Sequence, residues 1–238
     1  MVLKKLDKIR LNKYISLSGI CSRRQADKYI EQGLVEVNGK ITTELGTVVD
    51  GDKDEVKFNC KIIKPVEENK YIMLNKPLGY ITTSKEQFGR SYVLQLIKEN
   101  IRVFPVGRLD MHSEGLILLT NDGDFANRVT HPTKHIEKEY EVELKNNVTD
   151  EQTLKLQQGV DIGGYITKEA VVKQLGKKKI SIVIKEGKNR QVRKMCEAVG
   201  NSVIKLKRTR IGGLFIDDLG AGEYRYLTKK DIDKVFRV

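Results

Sequence analysis

Residues 105–124 read PVGRLDMHSEGLILLTNDGD, and the fold turns on how this stretch is divided. Leu116, Ile117, Leu118 and Leu119 stand in a row, with no polar face between them, so the run reads as a strand buried on both sides. The Gly-containing turn before it, which carries Arg108 and Asp110, must then be held against the edge of a packed core. A loop with opposite charges beside a core is a common place for chemistry. On charges alone the plainer reading is a surface Arg–Asp pair of little energetic worth.

Working outward, the following residues give strands near 139–145, 169–175, 179–185, 202–210 and 223–227, and an earlier one near 71–75. Helices are expected at 92–99, 124–130, 149–158, 188–199 and 228–236. Thr149 with Gln152 and Thr228 with Asp231 supply capping patterns. Helices do not regularly separate the strands, so a doubly wound parallel sheet fits poorly. An α+β domain over 70–238, on a mostly antiparallel mixed sheet flanked by helices, fits the order.

Residues 1–60 form a separate small α/β unit of two helices and short hairpins. Leu11, Tyr14 and Ile15, then Ala26, Tyr29 and Ile30, give apolar stripes over 9–18 and 22–32. Ser22 with Gln25 caps the second helix, and Gly33 ends it. The segment LVEVNGKIT alternates around Asn38-Gly39, a hairpin signal. GTVVDGDKDEVKF reads as a further strand pair. Residues 61–69, with Pro65 and an acidic patch, read as the linker.

The formal net charge is +12 over 238 residues. Between Lys168 and Arg210 there are 14 Lys or Arg against three acids (Glu169, Glu186, Glu197), so one segment holds nearly the whole excess. Such concentration favours a polyanionic partner. In the first unit Arg10, Lys13, Arg23, Arg24 and Lys28 lie on or between two short helices. Ser22 adds a helix start that welcomes phosphate, which makes this an RNA-docking surface. No apolar run reaches the roughly 20 residues of a membrane span, and the charged start MVLKKLDKIR is unlike a secretory signal. Cys21, Cys60 and Cys196 are scattered and odd in number, as expected of reduced thiols in a cytoplasm. His131, His135 and Cys196 lack the paired thiolates of a zinc site, and Asp110 with Glu114 lacks the sugar platform of a glycosidase pair.

The stretch RLNKYISLSGICSRRQADKYIEQGLVEVNGK resembles the RNA-binding domain named after ribosomal small-subunit protein four. VGRLDMHSEGLILLTNDGD resembles the catalytic motif of the pseudouridine synthases, in the RsuA-type branch that modifies ribosomal RNA. YIMLNKPLGYITT, EKEYEV and EGKNRQVRKMCEAVG match further motifs of that branch, in order. KLKRTRIGGL is most similar to the RluF-like members that act on large-subunit (23S) RNA. The resemblance covers most of the chain.

The resemblance implies isomerisation of a uridine to pseudouridine, with no cofactor and no metal. It makes Asp110 the catalytic residue, paired with Arg193 on a helix 188–199 that also displays Asn189 and Cys196. Arg108 would enter the RNA stack or hold a phosphate as the base swings out. Tyr140 would stack on the uracil and help in proton handling, and Ile184 would flank it. Asn189 and Arg190 would bind substrate. The expected protein is a cytoplasmic monomer acting on ribosomal RNA. The alternative is a non-catalytic RNA-binding or ribosome-assembly protein.

Overall fold

The computed structural model describes residues 7–98 and 100–237. The ends of both expected domains (residues 1–6 and 238), and Glu99 at the end of the expected helix 92–99, lie outside them. The described chain divides into two compact units. One comprises the residues up to Asn69 with Asn100–Arg102; the other comprises the rest from Lys70 onward.

The first unit holds α1 (Leu11–Leu17) and α2 (Arg23–Glu31). Its strands are β1 (Ile9–Arg10), β2 (Val35–Val37), β3 (Lys40–Ile41), β4 (Val48–Val49), β5 (Val56–Phe58) and β6 (Lys61–Ile62). Leu11, Tyr14, Ile15, Ala26 and Ile30 bury the helical stripes against Val35, Val49 and Val56. Ser22 caps α2 by accepting from the Gln25 amide at 3.3 Å. Asn38 and Gly39 both take positive φ between β2 and β3, as a two-residue hairpin turn requires.

Two expectations change here. Val48–Val49 and Val56–Phe58 do not pair with each other. β4 pairs with β1, and β5 lies between β2 and β6. Local pattern reveals a strand but not its distant partner. The expected linker also starts inside the fold, because Lys61–Ile62 is the strand that closes the four-stranded sheet.

The second unit is built on one nine-stranded sheet. Its strands are β7 (Tyr71–Lys76), β8 (Phe104–Val106), β9 (Glu114–Thr120), β10 (Lys138–Leu144), β11 (Val171–Gly176), β12 (Lys179–Ile184), β13 (Val203–Ile211), β14 (Leu214–Phe215) and β15 (Tyr224–Tyr226). The main order is β11-β12-β10-β13-β9-β7-β15, with β8 against β9 and β14 against β13. Every pair is antiparallel except β9 with β13. The mixed, mostly antiparallel sheet is the expected one.

Central strand β9 shows why its sequence is apolar throughout. Ile117 and Leu119 join one core with Ile72, Leu74 and Val142. Leu116 and Leu118 join another with Met73, Val106 and Phe125. Successive residues of a strand face opposite sides, so a strand covered on both faces carries no polar alternation. The covers come from α3 (Gly123–Thr130), α4 (Asp150–Gln158), α5 (Gln191–Ala198) and α6 (Lys229–Val235). Thr149 and Thr228 form capping boxes with Gln152 and Asp231. The expected helix at 92–99 is only a 3₁₀ turn, Val93–Leu96.

Candidate active site

Asp110 stands in the turn between β8 and β9, and the main chain of that turn is fixed residue by residue. Five consecutive carbonyls, from Leu109 to Ser113, each accept a hydrogen bond. Thr82 Oγ1 donates to Leu109 O at 2.8 Å and also accepts from the Leu109 amide at 3.2 Å. The Ser113 amide donates to Asp110 O at 3.0 Å, and the Gly79 amide to Met111 O at 2.9 Å. Arg193 Nη2 donates to His112 O. Lys76 Nζ donates to Ser113 O at 2.6 Å. Donors from residues 76–82, from Arg193 and from the turn itself thus hold one short loop, while no described residue hydrogen-bonds the Asp110 carboxylate.

Asp110 opens onto a cleft of about 470 Å³. Arg108, Tyr140, Ile184, Asn189 and Arg190 line the same cleft, so the fold gathers residues separated by more than 70 positions in sequence. Tyr140 and Ile184 are buried on neighbouring strands β10 and β12, whereas Arg108, Asn189 and Arg190 are exposed at the mouth. Tyr165 stands at the rim with its hydroxyl donating to Glu186 at 2.6 Å. That hydrogen bond to a carboxylate raises the phenol's pKa.

Arg193 lies behind the cleft, 7% exposed. Its expected ion pair with Asp110 is absent among the described residues. The guanidinium is instead committed to main-chain carbonyls, Nη1 to Val203 O at 3.1 Å and Nη2 to His112 O, while buried Nε has no partner. Burial lowers its pKa first, and neighbouring Arg190 adds to that; the Asp110 charge opposes both. Arg193 therefore lies in the field of Asp110 without an ion pair to it. A second expectation also fails: α5 begins at Gln191, not 188, and Arg190 ahead of it takes φ 51°. Asn189 consequently lies outside the helix, off the face shared by Arg193 and Cys196. Cys196 is sealed in the core, where burial pushes its thiol up to about 12.

Sequence reading missed three basic residues in or near the cleft. Lys76 is fully buried and donates to Pro77 O as well as Ser113 O. Lys138 and Arg208 line the cleft itself. The signal for Lys138 was available, since it lies two residues before Tyr140 and shares its strand face. Arg208 was hidden among the alternating cations of KLKRTR. In the first unit Arg10, Ser22, Arg23, Arg24 and Lys28 are exposed and Lys13 is half-buried.

Residues 70–198 match the RNA pseudouridylate synthase family, and residues 9–56 match the S4 domain. The chain is 43% identical over 232 residues to the dual-specificity RNA pseudouridine synthase RluF of Escherichia coli (strain K12), covering 97% of this chain and 79% of that one. It is 41% identical over 234 residues to ribosomal large subunit pseudouridine synthase B of Bacillus subtilis (strain 168), covering 95% of each. A crystal structure of a pseudouridylate synthase superposes with a TM-score of 0.71 at 33% identity, covering 95% of this chain and 99% of that one. The chain belongs to the RNA pseudouridine synthase family, and it is an isomerase that converts uridine in RNA to pseudouridine.

Proposed function

We propose that the protein modifies one uridine of structured ribosomal RNA, in the large subunit (23S), with Asp110 as its catalytic residue. The observation that carries this reading is the turn at 109–113, where every carbonyl is tied down and Asp110, whose carboxylate no described residue hydrogen-bonds, lines the cleft. The names of the relatives support the ribosomal target, since one of them is a large-subunit enzyme.

The reaction breaks the bond between N1 of uracil and C1′ of ribose, turns the base, and forms a C5–C1′ bond. The hydrogen on C5 leaves as a proton, and the freed N1 takes one up. Nothing is oxidised. A carboxylate held against the sugar serves either by adding to C1′ or by taking a neighbouring proton, and both routes need the fixed carboxylate that Asp110 provides. Tyr140 and Ile184 make the apolar walls for a base taken out of its stack. Arg108, Asn189 and Arg190 grip RNA at the mouth. Arg193 acts as a positioning residue through the turn that it anchors.

The S4-type unit is assigned the docking role, through Arg10, Lys13, Ser22, Arg23, Arg24 and Lys28, with residues 1–60 and 70–238 as the two functional domains. The protein is taken to work as a monomer in the cytoplasm. No helix among the described residues is long and apolar enough to cross a membrane.

Tritium release from ribosomal RNA labelled at uracil C5 tests the reaction, and pseudouridine maps of RNA from cells with and without the gene test the target. One 23S position lost with the gene is expected. RNA binding without tritium release would instead identify a ribosome-assembly factor, and a lost site in another RNA would overturn the 23S assignment.

A further inference from the structure

Basic side chains gather in and beside the cleft: Lys138 and Arg208 line it, and Lys76 lies in the field of Asp110. Lys76 on β7 is fully buried, Arg208 on β13 is 3% exposed, and Lys138 on β10 is half-buried. Among the described residues no carboxylate forms an ion pair with any of them; Asp110 and Glu114 both lie in the field of Lys76, and Glu114 is already paired with Lys205 at 3.2 Å. Buried cations are ordinarily paired or saturated with hydrogen bonds. Burial brings both lysines down to about 8 and the Arg208 charge adds to it, while at Lys76 the Asp110 and Glu114 charges oppose the fall.

Lys76 is committed to the Pro77 and Ser113 carbonyls. The other two have capacity to spare. Lys138 donates to Ile136 O at 2.8 Å, and an ammonium has two further donors. Arg208 donates from Nε to Leu116 O at 2.7 Å, but its buried Nη2 has no partner. A buried orphan donor in a native fold calls for a missing acceptor.

Placement says what that acceptor is. Arg208 lies directly across from Tyr140 in the β10–β13 ladder. Lys138 lies two residues along from Tyr140 on the same face, roughly 7 Å away at the rise of a strand. The two cations therefore flank the ring that would stack on the base. Uracil and ribose are neutral in the bound nucleotide, so the only anionic groups entering with them are backbone phosphates. We propose that Lys138 and Arg208 form a subsite for a phosphodiester flanking the flipped uridine, seating its ribose against Asp110. A planar guanidinium with an open nitrogen, beside an ammonium, suits two oxygens of one phosphate.

This inference rests on the reading of Asp110 and Tyr140 above, and the test separates the two. Synthetic hairpins carry the uridine mapped as described, with a neutral methylphosphonate replacing one flanking phosphate at a time. Single-turnover tritium release is measured at saturating enzyme. Release from the unsubstituted hairpin by the wild-type protein upholds the underlying reading; its absence defeats that reading first. At one flank the methylphosphonate is expected to slow the wild-type protein about 10- to 100-fold, the worth of a hydrogen bond to a charged group. It should slow Lys138→Met by no more than about twofold further, because both changes remove the same contact. Arg208→Lys, which keeps the charge and loses the fork, should show an intermediate response, and its melting curve confirms that it is folded. Losses that multiply at both flanks overturn the subsite. A Lys138→Met defect indifferent to either phosphate would place the charge on the departing base and overturn it equally.

Discussion

Arg193 holds the carbonyl of His112, two residues beyond Asp110, rather than the Asp110 carboxylate. Helix α5 is thereby fastened to the turn that presents the acid, and the same guanidinium reaches Val203 O on β13 at 3.1 Å. Arg193→Met would leave two carbonyls without donors, at about 1–3 kcal/mol for each buried group. Both the melting temperature and the single-turnover rate should fall, with RNA affinity nearly unchanged. Arg193→Lys should recover part of each. A rate loss with unaltered melting would mean that the charge of Arg193 matters and its anchoring does not.

Asp110→Asn preserves shape and removes the charge and the nucleophile. Tritium release should vanish, and binding measured by filter retention should persist. Turnover by the purified Asn variant would remove Asp110 from its assigned role.

Thr82 grips both sides of Leu109, donating to its carbonyl and accepting from its amide. Thr82→Val is nearly isosteric and deletes both bonds. A stability loss of about 1–3 kcal/mol is expected, together with a fall in single-turnover rate larger than the fall in affinity. Urea melts and rate measurements on one preparation decide whether the turn needs this clamp.

Asp231 is 8% exposed and accepts from Arg225 at 2.8 Å and from the Thr228 amide at 3.0 Å. The Arg225 hydrogen bond leads in holding its carboxyl near 2, below the ordinary 3.8. A depressed carboxyl contributes stability that is complete above the unfolded value and is lost as the pH falls through the folded one. The size is about 2 kcal/mol, at 1.36 kcal/mol per unit. Asp231→Asn should lose about this amount at neutral pH and little at pH 2. Equal destabilisation at both pH values would show that the charge is not what matters.

Arg23, Arg24 and Lys28 are exposed on α2. If each contacts a phosphate, changing all three to Gln should reduce the slope of log K against log salt by about 0.7–0.9 per contact. The slope should stay well above zero, because the cations of the synthase unit remain. An unchanged slope, read by titration at several salt concentrations, would show that α2 does not grip the backbone.

The parts of this molecule legible in the sequence are those fixed by near neighbours. The stripes of α1 and α2, the Asn38-Gly39 turn and the Thr149 and Thr228 caps depend on residues at most a few positions apart. The strand at Leu116–Thr120 was readable because a doubly covered strand cannot hide its composition. What escaped depends on distant pairing. Val48 finds its partner at Arg10 rather than at Val56, and no local pattern contains that choice. In the site, Asp110, Tyr140 and Ile184 could be named from motifs, and they do share a cleft. The ion pair assigned to Arg193 could not be checked from spacing, because its partners are main-chain carbonyls that carry no residue signature. Lys76 and Arg208 were passed over for a related reason. A cation in a basic chain looks like surface until burial singles it out.

Because each carbonyl from Leu109 to Ser113 already has a donor, the loop that presents Asp110 has little left to order when RNA arrives. Its Leu109 and Ser113 amides are also engaged, with Thr82 Oγ1 and Asp110 O. In deuterated water these two positions should exchange on the slow timescale of the neighbouring strand β9, and not on that of an exposed turn. The waiting time for reaction would then belong to the RNA, which must open a stack, while the enzyme stands already set.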